Sequence, residues 1–251
     1  MIFDFKDKVC LVTGGIRGIG IEIARSLLEE DARVVICSRK PEGLQKAKET
    51  LSNHKNLMTV STHIGKRKEV AGLFDTIEKV HGRLDILINN VGMNLITPGI
   101  ADLDPGLWRK IIDTNLSGTF LCSRKAASMM RARKQGKIVS ISSIAGTRAT
   151  LGMGVYGIAK AGIEMMTKVL ASELAIFNIQ VNAVAPAMVR TQFSEPFWSN
   201  EELLAHVIKS IPMGRIAEIE DVVKPVLFLA SQGSSFITGQ TLVVDGGTTV
   251  V

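Results

Sequence analysis

The sequence predicts an α/β fold: a doubly wound parallel β-sheet of about seven strands with helices on both faces, as a single domain over residues 1–251. Short apolar runs rich in β-branched residues alternate with segments of helical periodicity about seven times, which is typical of βαβ units. A glycine-rich turn directly follows the first apolar run. With 251 residues, of which 46% are hydrophobic, the chain is long enough to bury one sizeable core.

The apolar runs and the helical patterns give the predicted order of elements. Buried strands are expected at residues 9–13, 33–37, 57–62, 84–88, 137–143, 180–185 and 239–245. Helices are expected at residues 21–30, 41–55, 68–81, 105–131, 156–175 and 221–231. The less regular stretch at about 187–212 carries an aromatic cluster and ends in a helical piece up to Ser210. It is predicted to cover the substrate, and the alternative is a loop packed on the core.

Charge and cysteine content argue against several classes of protein. The net charge is +6, but the basic runs 66–68 and 131–134 are short and far apart, so no nucleic-acid surface is expected. No stretch reaches 18 apolar residues, which predicts no membrane span. Cys10, Cys37 and Cys122 have neither paired nor metal-ligand spacing, so no metal is expected. An odd cysteine count without a signal peptide predicts a cytoplasmic protein.

The glycine-rich turn indicates a phosphate-binding loop. Gly14, Gly15, Gly18 and Gly20 lie between the first predicted strand and the first predicted helix. Glycines permit a tight turn and let a pyrophosphate approach the backbone N–H groups at a helix N-terminus. The spacing differs from the general GxGxxG pattern, so the strand–turn–helix context carries the prediction.

The end of the second strand bears on which cofactor binds. NAD-binding units have an acidic residue there for the ribose hydroxyl, whereas this chain has Ser38-Arg39-Lys40. A guanidinium can bind a 2′-phosphate in a forked geometry, and Arg17 offers a second positive charge. The predicted cofactor is therefore NADP(H), with NAD(H) possible. The alternative is that Arg39 is an ordinary solvated residue.

Tyr156 and Lys160 form a candidate acid–base pair. They lie one turn apart on one face of the predicted helix, and a neighbouring ammonium favours the phenolate and lowers the tyrosine pKa. Ser142 and Ser143 close the preceding strand, where a hydroxyl could hold a carbonyl oxygen. The alternative is a helix that carries a tyrosine and a lysine at this spacing by chance.

Two groups of asparagines add weaker signals. Asn89-Asn90-Val91-Gly92 ends a predicted strand and is read as a polar edge that faces a ligand, although alone it could be a turn. Asn115, followed by Gly118, is a polar misfit inside the helix predicted at 105–131, and such misfits often mark functional sites. A satisfied core asparagine is the alternative for Asn115.

Taken together and in order, these motifs resemble the short-chain dehydrogenase/reductase family, in its NADP-preferring branch, from about residue 5 to residue 247. The resemblance implies a Rossmann-type fold. The motifs that carry it are Thr13-Gly-Gly-Ile-Arg-Gly-Ile-Gly20, Asn89-Asn-Val-Gly92, Asn115, Ser143, Tyr156-x-x-x-Lys160 and Val181-Asn-Ala-Val-Ala-Pro186.

The resemblance implies a catalytic tetrad of Asn115, Ser143, Tyr156 and Lys160. Tyr156 would protonate the carbonyl oxygen as a hydride arrives from C4 of the nicotinamide, while Ser143 would bond the same oxygen. Lys160 would lower the pKa of Tyr156 and bond the nicotinamide ribose. Asn115 would hold a water molecule that links Lys160 to solvent.

The same resemblance and the motifs imply the binding residues. The expected cofactor contacts are Gly14, Ile16, Arg17, Gly18, Ile19, Gly20, Ser38, Arg39, Ile64, Asn89, Val91, Gly92, Tyr156, Lys160, Val189 and Thr191. The expected substrate contacts are Asn94, Ser143, Met153, Tyr156, Met188, Phe193 and Trp198. Met153, Met188, Phe193, Phe197 and Trp198 suggest an apolar compound, such as a cyclic or aryl one.

The leading predicted function is an oxidoreductase that moves a hydride between NADP(H) and a ketone/secondary-alcohol pair. One alternative is a β-ketoacyl thioester reductase, for which Arg131 and Arg133 could meet a carrier protein or coenzyme A. Others are an NAD-linked secondary alcohol dehydrogenase and a non-catalytic cofactor-binding subunit, which would have no need for the Tyr–Lys pair. Members of the family are commonly tetramers, so a homo-oligomer, tetramer or dimer, is expected.

Overall fold

The computed structural model of the protein describes residues 4–251 and has one sheet of seven parallel strands in the order β3-β2-β1-β4-β5-β6-β7. This order places helices on both faces and confirms the predicted doubly wound, Rossmann-type α/β fold. The strands are β1 (Val9–Thr13), β2 (Arg33–Ser38), β3 (Leu57–Ser61), β4 (Ile86–Asn89), β5 (Gly136–Ile141), β6 (Ile179–Pro186) and β7 (Thr241–Val244).

Nine α-helices connect and cover the strands within residues 4–251. They are α1 (Gly18–Glu29), α2 (Pro41–Thr50), α3 (Arg67–His81), α4 (Pro105–Ile112), α5 (Gly118–Arg133), α6 (Gly154–Leu174), α7 (Glu195–Trp198), α8 (Glu201–Lys209) and α9 (Ile219–Ala230). None of the helices in this range is both long and apolar enough to cross a membrane.

Two apolar clusters, one on each face of the sheet, explain why the strands read as continuous apolar runs. In β1, Cys10 and Val12 pack in the cluster that contains α1 and α9. Val9 and Leu11 pack in the cluster that contains α3 and α5. Successive side chains of a strand point to opposite faces, so a strand covered on both faces has no polar side.

The prediction of one continuous helix over residues 105–131 is wrong. Helix α4 ends at Ile112, a π-helical turn spans Asp113–Ser117, and α5 begins at Gly118. Asn115, the polar misfit in the sequence, lies inside that turn, where its Nδ2 donates to the Ile111 carbonyl oxygen at 2.8 Å. The wider turn lets a polar side chain bond backbone groups without ending the helical path.

Other predicted boundaries shift by a few residues for local reasons. Helix α2 ends at Thr50 rather than at 55, because Ser52 and Asn53 adopt left-handed backbone conformations with φ of 56° and 48°. Strand β4 begins at Ile86 rather than at 84. The segment at 187–212 contains α7 and α8, and α8 confirms the helical piece predicted to end at Ser210. All seven strands run in parallel, so their carboxyl ends share one edge of the sheet.

Candidate active site

A cavity of about 820 Å³ opens along the carboxyl edge of the sheet. Its walls come from the segments that follow the seven strands, the start of α6 and the segment around α7 and α8. Parallel sheets commonly bind ligands at this edge. Most of the predicted site residues line it: Gly14, Ile16, Arg17, Gly18, Ile19, Ser38, Arg39, Ile64, Val91, Gly92, Asn94, Ser143, Met153, Tyr156, Lys160, Met188, Val189, Thr191 and Phe193.

Gly20 is predicted as a cofactor contact but does not line the cavity. A Cβ at Gly20 would lie 2.6 Å from the Gly14 carbonyl oxygen, so this glycine permits the close packing of the turn against α1. Gly14 itself has a φ of +67°, a conformation that L side chains rarely adopt. No side chain of residues 4–251 caps the start of α1, which leaves its first N–H groups available to an anion.

Asn89 is also predicted as a cofactor contact, but its side chain points away from the cavity. Its Nδ2 donates to Ser123 Oγ at 3.0 Å and to Ser140 Oγ at 3.3 Å, inside the sheet–helix interface. Asn90 lines the cavity instead, and its Nδ2 donates to the Thr13 carbonyl oxygen at 2.9 Å. Asn89 is the last residue of β4 and is held inside the sheet–helix interface, whereas Asn90 follows the strand and reaches the cavity.

The segment after β3 supplies polar groups that were not predicted. Thr62 and His63 line the cavity beside Ile64, which the sequence indicated as the contact. Thr62 Oγ1 is buried and has no hydrogen-bond partner among the described residues. His63 Nδ1 accepts from the Gly65 N–H at 3.1 Å. Buried polar atoms are normally paired, so the unpaired hydroxyl fits a site completed by a ligand.

Ser143, Tyr156 and Lys160 converge on the cavity from two elements. Ser143 directly follows β5, and its Oγ accepts from the Ala145 N–H at 3.2 Å. Tyr156 and Lys160 lie in the first two turns of α6, with Lys160 Nζ 5.4 Å from the centre of the Tyr156 ring. Lys160 Nζ donates to the Ile141 carbonyl oxygen at 2.7 Å, which ties the helix to the end of β5.

Burial dominates the pKa values of this pair. It raises the pKa of Tyr156 to about 12, although the hydrogen bond with the Ser143 side chain lowers it. Burial lowers the pKa of Lys160 to about 8, and the Glu164 carboxylate opposes that shift. The predicted lowering of the Tyr156 pKa is therefore wrong, because desolvation of the phenolate outweighs the favourable contacts. At pH 7 the phenol keeps the proton that a general acid needs.

Asn115 has 0% exposure and does not line the cavity. Its Nδ2 donates to the Met93 carbonyl oxygen at 2.9 Å, and its Oδ1 accepts from the Met93 N–H at 3.0 Å. Its backbone carbonyl oxygen accepts from Thr119 Oγ1 at 2.7 Å. The side chain thus fixes the cavity-lining segment at Met93. The water-holding role implied by the family resemblance stays a prediction.

The predicted substrate contacts also include residues that line the cavity and one that does not. Asn94, Met153, Met188 and Phe193 line the cavity, whereas Trp198 does not. Trp198 Nε1 donates to the Thr191 carbonyl oxygen at 2.9 Å, so the indole stabilises its own segment. Further wall residues at this end are Arg148, Val207, Ser210, Ile211 and Thr248, of which Val207, Ser210 and Ile211 lie in the segment predicted to cover the substrate.

The charged side chains that line the cavity are all cationic. Arg17, Arg39, Lys40, Arg148 and Lys160 line it, and no Asp or Glu of the described chain does. This charge, the free N–H groups of α1 and the unpaired Thr62 hydroxyl fit an anionic dinucleotide. Residues 4–251 contain no cluster of three His, Cys, Asp or Glu side chains that could hold a metal ion.

A doubly wound sheet with a glycine turn, and a serine, tyrosine and lysine facing one cavity, defines an NAD(P)-dependent oxidoreductase acting on CH–OH or carbonyl groups. Residues 14–249 match the family model described as enoyl-(acyl carrier protein) reductase. The human dehydrogenase/reductase SDR family member 4 is 37% identical over 243 residues, covering 96% of this chain and 87% of the relative. The chain belongs to the short-chain dehydrogenase/reductase family.

Two further relatives bear on function. The 3-oxoacyl-[acyl-carrier-protein] reductase FabG of Chlamydia trachomatis is 36% identical over 244 residues, covering 96% of this chain and 97% of the relative. The solved structure of ElxO with NADP bound has a TM-score of 0.93 and 32% identity, covering 98% of this chain and 100% of ElxO.

Proposed function

We propose that the protein reduces a ketone to a secondary alcohol with NADPH. The observation that carries the proposal is the charge at the glycine turn and the end of β2, where Arg17, Arg39 and Lys40 line the cavity and no carboxylate of the described residues does. Ser38, Arg39 and Lys40 all line the cavity at the end of β2. A carboxylate there would favour the ribose hydroxyl of NAD(H), whereas a guanidinium favours a 2′-phosphate. The NADP bound to ElxO supports the same preference.

The residues of the site have distinct roles in this reaction. When bound, the nicotinamide cofactor supplies the hydride. Ser143 Oγ donates a hydrogen bond to the substrate carbonyl oxygen and orients it. Tyr156 transfers its proton to that oxygen; a phenol is protonated at neutral pH at its ordinary pKa and stays so here, where burial raises the pKa to about 12. The Lys160 ammonium stabilises the negative charge that develops on the phenol.

Reduction of a β-ketoacyl thioester is the second candidate, and the similarity to FabG favours it. The basic pair Arg131 and Arg133, which the sequence suggests as a contact for a carrier protein, does not favour it. Arg133 Nη1 pairs with Asp85 at 2.6 Å, and Arg131 stacks over the Phe177 ring at 5.3 Å. Both arginines lie at the end of α5 that leads into β5, which is the edge of the sheet opposite the cavity.

Cofactor preference is tested by titrating the purified protein with NADPH and with NADH. We expect tight NADPH binding, weaker NADH binding, and a loss of at least about tenfold in NADPH affinity in Arg39→Asp. Arg67→Asp is the matched control, because Arg67 is exposed, near β3 and outside the cavity. Unchanged NADPH affinity in Arg39→Asp would contradict the proposal. Equal losses in both variants would mean that only net charge matters.

Self-association is part of the proposal. Exposed apolar side chains lie on α5 and α6 and just beyond α6, among them Phe120, Met165 and Ile176, the last with 80% exposure. Such patches commonly mark contacts between copies. We expect light scattering at micromolar concentration to give the mass of a tetramer or a dimer. A monomer would contradict it.

A further inference from the structure

The cavity has a second cationic end that the cofactor does not need. Arg148 lies five residues after Ser143, in the turn before α6, where its N–H donates to the Ile144 carbonyl oxygen at 3.1 Å. Its Nη1 donates to the Thr248 carbonyl oxygen at 2.9 Å. Thr248 follows β7, the last strand of the sheet, so this bond fixes the guanidinium on the β7 side.

The strand order separates this end from the cofactor end. Five strand intervals divide β2, which leads to Arg39, from β7, which leads to Thr248. At about 4.8 Å per interval the two lie roughly 24 Å apart along the edge. Strand β5, which leads to Ser143, lies between them. A dinucleotide that extends from Arg39 to Ser143 therefore leaves Arg148 on the far side of the reacting atoms.

The charge of Arg148 is not neutralised within the part of the chain that the structure describes. Arg148 has no ion pair there, and no carboxylate lines the cavity. A guanidinium has five N–H donors, so the single bond to Thr248 leaves a fork free for an anion. The wall beyond Tyr156 is otherwise mostly apolar, with Met188, Phe193 and Ile211.

We propose that Arg148 is a specificity residue that binds an anionic group of the substrate, so that the natural substrate is an apolar carbonyl compound with a negatively charged end. The inference rests on the proposed ketone reduction, because it assigns the substrate class of that same site. Two sources supply the anion: a carboxylate on a free oxo acid, or the phosphates of a coenzyme A thioester. Binding in the fork would orient the carbonyl toward Tyr156 and lower KM more than it raises kcat.

The test compares matched charged and neutral substrates with NADPH. The first pairs are 4-oxopentanoate and 4-benzoylbutanoate, each against its methyl ester. The last pair is acetoacetyl-coenzyme A against the N-acetylcysteamine thioester of acetoacetate. We expect kcat/KM to be at least about tenfold higher for the charged member, either in the two carboxylate–ester pairs or in the thioester pair. Added salt should weaken this preference. The kind of pair that shows it identifies the anion.

Three variants assign that preference to the guanidinium. Arg148→Gln should bring the charged-to-neutral ratio close to one, mainly through KM. Arg148→Lys should retain part of it, because the point charge remains while the fork is lost. Arg124→Gln, a neutralisation of an exposed residue outside the cavity, should leave the ratio unchanged. An unchanged ratio in Arg148→Gln, or a wild-type preference for the neutral compounds, overturns the proposal.

A calorimetric titration separates this proposal from the proposed function. If no ketone oxidises NADPH in the presence of the protein, the proposed ketone reduction is wrong. The role of Arg148 is then tested by measuring how tightly the charged and neutral compounds bind to the complex of the protein with NADP⁺. Tighter binding of 4-benzoylbutanoate than of its ester, or of acetoacetyl-coenzyme A than of the N-acetylcysteamine thioester, supports the anion site if the difference is lost in Arg148→Gln. Equal binding within both pairs, or equal losses in Arg148→Gln for both members of a pair, overturns it.

Discussion

The two edges of the sheet differ in how their charged side chains are paired. At the amino edge, the Asp85 carboxylate pairs with Arg83 at 3.0 Å and Arg133 at 2.6 Å. At the carboxyl edge, five cations line a cavity without a carboxylate from the described residues. Charges that are neutralised within the chain contribute to the fold, whereas cations gathered around one cavity without a carboxylate indicate an anionic ligand.

Two buried lysines make the comparison sharper. Lys137, at the start of β5, and Lys160, near the start of α6, have 6% and 2% exposure. Burial lowers the pKa of each to about 8. Lys137 Nζ donates to Ser234 Oγ at 3.1 Å, away from the cavity, while Lys160 lines it. A lowered pKa alone therefore does not identify a functional lysine. Lys160 is distinguished from Lys137 by its position in the wall of the cavity.

Removal of the Tyr156 hydroxyl should have the largest effect. Tyr156→Phe keeps the buried ring but deletes the proton donor, so we expect kcat to fall by about 10³ or more, equivalent to about 4 kcal/mol. Turnover of NADPH with a ketone measures the loss, and the free energy of unfolding serves as the control. A kcat within tenfold of the wild-type value would contradict the assigned role.

Disruption of the amino edge should change stability rather than binding. Asp85→Ala leaves two guanidinium groups and the Val9 N–H, which donates to Asp85 Oδ2 at 2.8 Å, without their acceptor. We expect denaturant unfolding to show a loss of about 3 kcal/mol, with the NADPH affinity unchanged. Arg83→Gln, at a half-exposed partner, should cost less than about 1 kcal/mol. A comparable loss of cofactor affinity would show that the two edges are coupled.

Replacement of Lys137 by methionine should stabilise the fold at neutral pH by about 1 kcal/mol, because the burial cost of an ammonium is removed. The folded-state pKa lies near 8, below the ordinary value of 10.5. The penalty is therefore complete below pH 8 and disappears as the pH rises toward 10.5. Unfolding curves of both proteins between pH 7 and pH 10.5 should converge. A variant less stable than wild type at pH 7 would contradict this.

The smallest expected effect concerns Glu164, whose Oε1 accepts from Ser142 Oγ at 2.8 Å. Its carboxylate raises the pKa of Lys160, so Glu164→Gln should lower that pKa further. The alkaline fall of kcat/KM then moves to lower pH, by less than about one unit. Glu173→Gln, an exposed change on the same helix, should leave the profile in place. A shift toward higher pH would contradict the assignment.

Local patterns in the sequence predict the elements, but not the features that depend on their packing. Apolar runs show the strands because both faces of each strand are buried. Hydrophobic periodicity does not reveal the π-helical turn at Asp113–Ser117, since one wider turn barely changes a helical pattern. The raised pKa of Tyr156 follows from burial, which no local spacing encodes.

The same limit applies to the site. The motif at 89–92 predicts a polar strand end, but only the packing at the end of β4 decides that Asn90, just past the strand, reaches the cavity and Asn89 does not. Arg148 lies in a turn without regular pattern, and its partner Thr248 is 100 residues away. Contacts of this kind become visible only when the strand order is known.

The bond between Arg17 Nη1 and Gln192 Oε1, 3.0 Å long, joins the glycine turn to the segment that precedes α7. Both residues line the cavity, so the bond spans the two sides of its mouth. Binding of the cofactor and binding of the substrate can each strengthen or weaken this bond. By thermodynamic linkage, the factor by which the cofactor then changes the substrate affinity equals the factor by which the substrate changes the cofactor affinity. An exposed hydrogen bond is worth about 0.5–1.5 kcal/mol, which limits this cooperativity to about tenfold.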